Sequence, residues 1–270
     1  MKAEPAPASD GWSILGVTSE EAVAAAASLL QARSQRTTRP APDLVDLDAA
    51  YPVQAAVAQA LGWFADGPPR YWKSGGASRQ ARQTHAPLPP AGVRESPADA
   101  GSAGWYFQDR GIEAEIALRL GKPVDPTLAR RLDQHGAEQL VDAMCVSIEV
   151  VDSRWSEGAA APAPARLADL QSHGALVLGR WMAFEAWDWS AQDCAVQIGG
   201  QPVLRFRGTH AMADPAFVLP AWLRHATRAG AVVPAGTIVT TGTWCGLLAA
   251  EAGDLVRVVF EGIGEACLQL

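Results

Sequence analysis

The chain has 270 residues, 49% of them hydrophobic and 19% charged, enough apolar material for a sizeable soluble core. Its 22 basic and 29 acidic residues give a net charge of −7. That sign argues against nucleic acid or an anionic membrane as the main partner, since phosphate contacts need a basic surface.

Residues 1–18 read as a flexible tail, and the Ala/Pro-rich start has no apolar stretch of the signal-peptide kind. A helix is predicted from Ser19, a good N-cap followed by Glu20 and Glu21, to about Arg36. A second begins near Asp48 and carries Tyr51, Val53, Ala56, Val57, Ala60, Leu61 and Phe64 at roughly helical spacing. Gly67-Pro68-Pro69 closes this helical N-terminal unit, residues 19–69.

From residue 70 onward short β-branched runs alternate with Gly/Pro turns. Strands are predicted at 112–120, 146–151, 175–178, 195–198, 203–207, 238–241, 255–260 and 266–270. Two helices, 127–144 and 215–229, interrupt them. The fold class is therefore α/β, mixed and strand-rich: a barrel- or roll-like domain over 70–270 with outer helices. No regular βαβ alternation and no GxGxxG after a strand occurs, which excludes a dinucleotide-binding fold. The low-complexity stretch 155–166 is either a solvated loop or a lid, following as it does the strand that carries Glu149. Cys145, Cys194, Cys245 and Cys267 form no CxxC pair and read as reduced thiols. No run of 18 or more apolar residues is present. A cytoplasmic protein is expected.

Strand alternation in Gly111–Leu120 puts Ile112, Ala114, Ile116, Leu118 and Leu120 on one face, with Glu113, Glu115 and Arg119 on the other. Two carboxylates at that spacing lie roughly 6–7 Å apart. Either they line a solvent-facing edge softened by Arg119, or they share a cation. Glu149, in the apolar run Val146–Val151, is likewise open to two readings: a buried ion pair with Arg154, or a third ligand facing the other two. Three carboxylates with no adjacent His or Cys make a hard-oxygen site suited to Mg²⁺ or Mn²⁺.

Glu113-Ala-Glu115-Ile-Ala, followed by Ser147-Ile-Glu149-Val-Val-Asp152-Ser-Arg154, resembles the fumarylacetoacetate hydrolase superfamily. The similarity is to its branch of 2-keto-4-pentenoate hydratases and 4-oxalocrotonate decarboxylases. Tyr71-Trp72-Lys73, the stretch Ser172–Gly179, and Thr240–Thr243 with Ala252-Gly253-Asp254 extend it over most of the chain. The resemblance implies a β-roll fold, homo-oligomeric assembly, and a divalent cation held by Glu113, Glu115 and Glu149. It also implies Lys73 as the family lysine. Where the family commonly has an acidic D-P-D-F/Y-G-like stretch, this chain has Thr84–Leu88.

The implied activity is hydration of a 2-hydroxy-2,4-dienoate to a 4-hydroxy-2-oxo acid, as in aromatic-compound degradation. Decarboxylation of a 2-oxo-enedioate, C–C hydrolysis of an acylpyruvate, and a catalytically degenerate partner subunit are the alternatives. The small 2-oxo acid would chelate the cation. Lys73 would stabilise the oxyanion, or move a proton if its pKa is lowered. His85 and His173 are the candidate proton carriers, and Ser172, Gly242 and Thr243 the candidate substrate contacts.

Overall fold

The computed structural model describes residues 19–270, so the predicted tail lies outside the described residues. Helices α1 (Glu20–Gln35) and α2 (Ala50–Ala60) open the chain. Ser19 caps α1 with its hydroxyl accepting from Ala22 N, and the acidic pair in the first turn suits the positive end of the helix. Their apolar faces meet Trp155, Ala161, Ala165, Leu167 and Ala168 in a small core of their own. The low-complexity stretch is thus partly folded: helix α5 (Ala163–Ala168) begins within it and packs on the N-terminal helices.

Strands β1 (Tyr71–Gly75), β2 (Thr84–Pro87), β3 (Val93–Glu95) and β4 (Ala98–Asp99) precede β5 (Gly111–Leu120). Helices α3 (Pro126–Arg131) and α4 (Gln134–Glu138) lead into β6 (Val141–Val151), followed after α5 by β7 (His173–Leu178) and β8 (Met182–Ala183). Then come β9 (Asp193–Ile198), β10 (Leu204–Arg207), α6 (Leu219–Ala226), β11 (Ile238–Thr240), β12 (Leu248–Ala249), β13 (Leu255–Phe260) and β14 (Gly264–Gln269). A nine-stranded mixed sheet runs β2-β1-β11-β5-β6-β7-β3, with β12 beside β5 and β8 beside β6; a second sheet runs β10-β9-β13-β14-β4.

The predicted helix 127–144 is a correction. Asp125 and Asp133 each cap a separate short helix through their carboxylates, and the chain is a strand from Val141. Met144 and Cys145 are fully buried opposite Leu118 and Ala117 of β5. Pairing with the central strand outweighs a weak helical pattern there. The predicted helix 215–229 begins as a 3-10 turn at Pro215–Val218 before α6.

The two faces of the large sheet do different work. Ile112, Ala114, Ile116, Leu118, Ile148, Val150, Ala175 and Val177 pack against Val196, Val256, Val258, Phe260, Ala266 and Leu268 of the second sheet. The opposite face carries a smaller cluster including Ala117, Cys145, Leu176, Leu178 and Ile238. By alternation it also carries Glu113, Glu115, Ser147 and Glu149. The main core thus lies behind a polar site and fixes its floor. The four cysteines are free, three of them buried. No helix among the described residues is long and apolar enough to cross a membrane.

Candidate active site

Antiparallel register sets the centre of the site. Glu113 on β5 faces Glu149 on β6, and Glu115 faces Ser147. Like charges directly opposite one another destabilise a sheet, yet Glu115 and Glu149 are completely buried. Carboxylate oxygens of all three glutamates lie within 4.8 Å of one another. Strand β1 runs parallel to β11, placing Lys73 beside Thr240. Its Nζ lies 2.9 Å from Glu149 Oε2 and 3.2 Å from Glu113 Oε2.

The arginines named in the sequence reading go elsewhere. Arg119 pairs with Asp142, and Arg154 pairs with Asp169 and Asp152. Three carboxylates therefore share one ammonium, a net charge of −2 when all are ionised. Burial, with repulsion from Glu149 and Glu113, pushes the Glu115 carboxyl up to about 8. Burial also raises Glu149, to about 7, against the pull of Lys73. For Lys73 burial acts downward, but Glu149, Glu113 and Glu115 outweigh it and hold the amine as ammonium, above its ordinary value. That is the opposite of the lowered pKa a proton-transferring lysine needs.

The donor set fits a divalent ion. Glu115 Oε2 receives hydrogen bonds from the Thr240 hydroxyl and, at 3.1 Å, from Gly242 N. Its Oε1 is buried with no hydrogen-bond partner. Ser147 Oγ stands 3.0 Å from Thr240 Oγ1 and His173 Nδ1 3.1 Å from Glu149 Oε1, so two of the three carboxylates are oriented from behind. An orphaned, charged, buried oxygen is costly unless something cationic meets it. Hard oxygen donors at this spacing suit Mg²⁺ or Mn²⁺.

A cavity of about 640 Å³ opens over this cluster, lined by Lys73, Glu113, Glu115, Ser172, Gly242 and Thr243 among others. Gly242 has φ +107, a left-handed conformation that side-chain-bearing residues avoid. Its turn brings the backbone N–H onto Glu115. Ser172 is buried, and its hydroxyl makes no hydrogen bond among the described residues. Thr243 lines the cavity while its hydroxyl donates to Gly246 O at 2.9 Å. Trp72, Trp155 and Trp244 are core residues, none of them lining the cavity.

His173 and His85 stand outside the cavity wall. His173 is 1% exposed behind Glu149. Burial holds its imidazole neutral, well below the ordinary value. His85 Nδ1 meets Ser74 Oγ at 2.9 Å, its ring lies 4.8 Å from that of His225, and burial lowers it to about 3. The cavity wall includes residues the sequence reading did not single out: Ser74, Arg82, Arg166, Gln171 and His210. Nothing in their neighbours marks them in the sequence, because the strand, loops and helix that carry them meet only in the folded chain.

Comparison with known proteins agrees with this architecture. The family model for the C-terminal part of fumarylacetoacetate (FAA) hydrolase matches residues 77–270, and the chain belongs to that family. Over 260 residues it is 30% identical to 2-keto-4-pentenoate hydratase 1 of Dechloromonas aromatica (strain RCB), covering 89% of this chain and 94% of that protein. To the 2-hydroxyhexa-2,4-dienoate hydratase of Comamonas testosteroni it is 31% identical over 159 residues, 58% of each chain. A solved structure of 4-oxalocrotonate decarboxylase from Pseudomonas putida G7, complexed with magnesium and adipate, shares the fold. Its TM-score is 0.77 at 19% identity, over 93% of this chain and 97% of that one. The chain is an enzyme of the hydro-lyase class.

Proposed function

We propose that the enzyme adds water to a 2-hydroxy-2,4-dienoate of the 2-keto-4-pentenoate type, giving a 4-hydroxy-2-oxo acid, with Mg²⁺ or Mn²⁺ held by Glu113, Glu115 and Glu149. The observation that carries this reading is the buried three-carboxylate, one-ammonium cluster at the floor of the cavity. A net charge of −2 there calls for a divalent cation. The hydratase relatives support the substrate class.

When bound, such a cation supplies Lewis-acid stabilisation of negative charge on the 2-oxygen of a chelating oxo acid. Lys73, fixed as ammonium, adds a second positive charge on the same side and orients Glu149 and Glu113. His173 holds Glu149 from behind, and Thr240 with Gly242 holds Glu115. Ser172 offers its hydroxyl to the substrate carboxylate, while Thr243, whose hydroxyl donates to Gly246 O, shapes the wall beside it. Leu47, Val151, Leu167, Met212 and Leu247 give the cavity apolar walls for the diene.

Turnover of a panel of 2-hydroxydienoates, 2-oxo-enedioates and acylpyruvates by wild type and Glu149→Gln, with and without Mg²⁺, tests this reading. The expected result is Mg²⁺-dependent hydration of a dienoate that Glu149→Gln lowers by at least about 10²-fold. Activity surviving both metal removal and Glu149→Gln would remove the cation from the reaction. Turnover confined to the enedioates or the acylpyruvates would replace hydration with decarboxylation or C–C hydrolysis.

A further inference from the structure

Hydration of a dienol requires a group that accepts a proton from the 2-hydroxyl and delivers one to carbon. The ionisable side chains lining the cavity are Lys73, Arg82, Glu113, Glu115, Arg166 and His210. Lys73 is locked as ammonium between carboxylates. Arginines do not deprotonate, and Arg82 is also paired with Asp48. Glu113 and Glu115 belong to the cation set. His210 alone remains with a free lone pair.

Its geometry supports the role. His210 is 4% exposed and held by the 208–213 loop, its ring 5.5 Å from that of Trp244. Nε2 lies 3.0 Å from Thr241 O. A carbonyl only accepts, so the proton sits on Nε2 and Nδ1 carries the lone pair. Nδ1 is buried and has no hydrogen-bond partner among the described residues, which leaves its basic site without a protein donor. The residue after Thr241 is Gly242, whose N–H reaches Glu115. The ring therefore adjoins the cation cluster without belonging to it. Burial lowers His210, with Arg79 acting the same way and the Thr241 carbonyl and Asp214 opposing, so the ring is a neutral base near pH 7.

We propose that His210 is the proton carrier of this cavity, a role that rests on the hydratase reading above. Nδ1 takes the proton as the 2-hydroxyl O–H bond breaks, and that electron pair forms the C2=O bond. The C2=C3 pair moves to C3=C4, and the C4=C5 pair takes a proton from the imidazolium to form a C5–H bond. The ring is returned to neutral and the product is a 2-oxo-3-enoate, ready for water at C4. No oxidant or reductant is involved.

The test uses the full chain with Mg²⁺ and the variants His210→Gln, whose amide can still donate to Thr241 O, and His210→Ala. Four quantities are measured: thermal midpoint, oxalate binding by calorimetry, turnover of 2-hydroxypenta-2,4-dienoate, and deuterium exchange into 2-oxobutanoate at C3. His210→Gln is expected to stay near the wild-type midpoint and His210→Ala to melt lower, both keeping wild-type oxalate affinity while turnover and exchange fall about 10²- to 10⁴-fold. Added imidazole should restore part of the loss in His210→Ala only. Near-wild-type turnover in His210→Gln overturns the assignment, as does a loss that tracks falling oxalate affinity and is not rescued by imidazole. Wild type that binds oxalate but neither hydrates the dienoate nor exchanges protons would sink the hydratase reading itself and this inference with it.

Discussion

Thr240 donates to Glu115 Oε2 and stands within hydrogen-bonding distance of Ser147, so one oxygen of Glu115 is fixed while the other stays free. Replacing it by valine keeps the β-branched shape on β11 but removes the donor. Thr240→Val is expected to weaken Mg²⁺ binding roughly 10- to 100-fold, the usual cost of losing a group that orients a metal ligand, with the circular dichroism spectrum unchanged. Calorimetric titration with Mg²⁺ measures this, and wild-type affinity in the variant would show that Gly242 N alone positions Glu115. The glutamates themselves were legible in the sequence because charge at alternate positions of an apolar strand is rare. Thr240 and Ser147 were not, since threonine and serine in strands are commonplace and only the register across β5, β6 and β11 reveals their shared target. His210 escaped for the same reason: its partners are 31 and more residues away in the chain.

Between α5 and β7 the chain makes a turn in which Leu170, Gln171 and Ser172 all have left-handed backbones, at φ +54, +58 and +59. Non-glycine residues resist this conformation by about 1–2 kcal/mol each, so three in a row require support. Asp169, fully buried, provides it: its carboxylate accepts from Arg154 N at 2.9 Å, Arg154 Nε at 2.7 Å and Arg33 Nη2 at 3.2 Å. Arg154 in turn donates to His173 O at 2.8 Å. The network therefore links α1 to the turn that presents Ser172 to the cavity and His173 to Glu149. Asp169→Ala would leave the buried Arg154 only one carboxylate, Asp152 at 3.5 Å, and release the turn, a loss of about 3–5 kcal/mol by the usual cost of breaking a buried pair. The thermal midpoint should fall on the order of 10 °C, and a midpoint near wild type would assign the turn's support to packing instead. Sequence periodicity located most strands because their alternation is clean. It joined 127–144 into one helix because it passed over the local aspartate cap at Asp133, and because the strand from Val141 is decided by its pairing with β5, a tertiary contact.

Across the whole molecule, buried titratable groups set how stability changes with pH. Burial holds His85 at about 3 and His225 at about 2, and keeps His173 and His210 below their ordinary 6.5. Glu115 at about 8 and Glu149 at about 7 instead keep protons above their ordinary 4.5. Between pH 4.5 and 6.5 the unfolded chain gains protons on four histidines, while the metal-free fold retains extra protons on these two carboxyls. Asp152, also raised by burial, does not reverse that balance. Unfolding therefore takes up protons in this window, and stability climbs with pH. Above about 6.5 the histidines are neutral in both states and the glutamates dominate the difference; unfolding releases protons, so stability falls, and the buried Cys145 and Cys194 thiols, which burial raises above their ordinary 9.0, continue the fall past pH 8. The metal-free protein should be most stable near pH 6.5. A divalent ion on Glu113, Glu115 and Glu149 takes the place of the retained protons, so Mg²⁺ should remove the descent above pH 6.5 and move the maximum toward pH 8. Thermal midpoints from pH 5 to 9, with EDTA and with Mg²⁺, measure both curves. If they run parallel throughout, the buried carboxylates do not exchange protons for a cation and their charge is met within the protein.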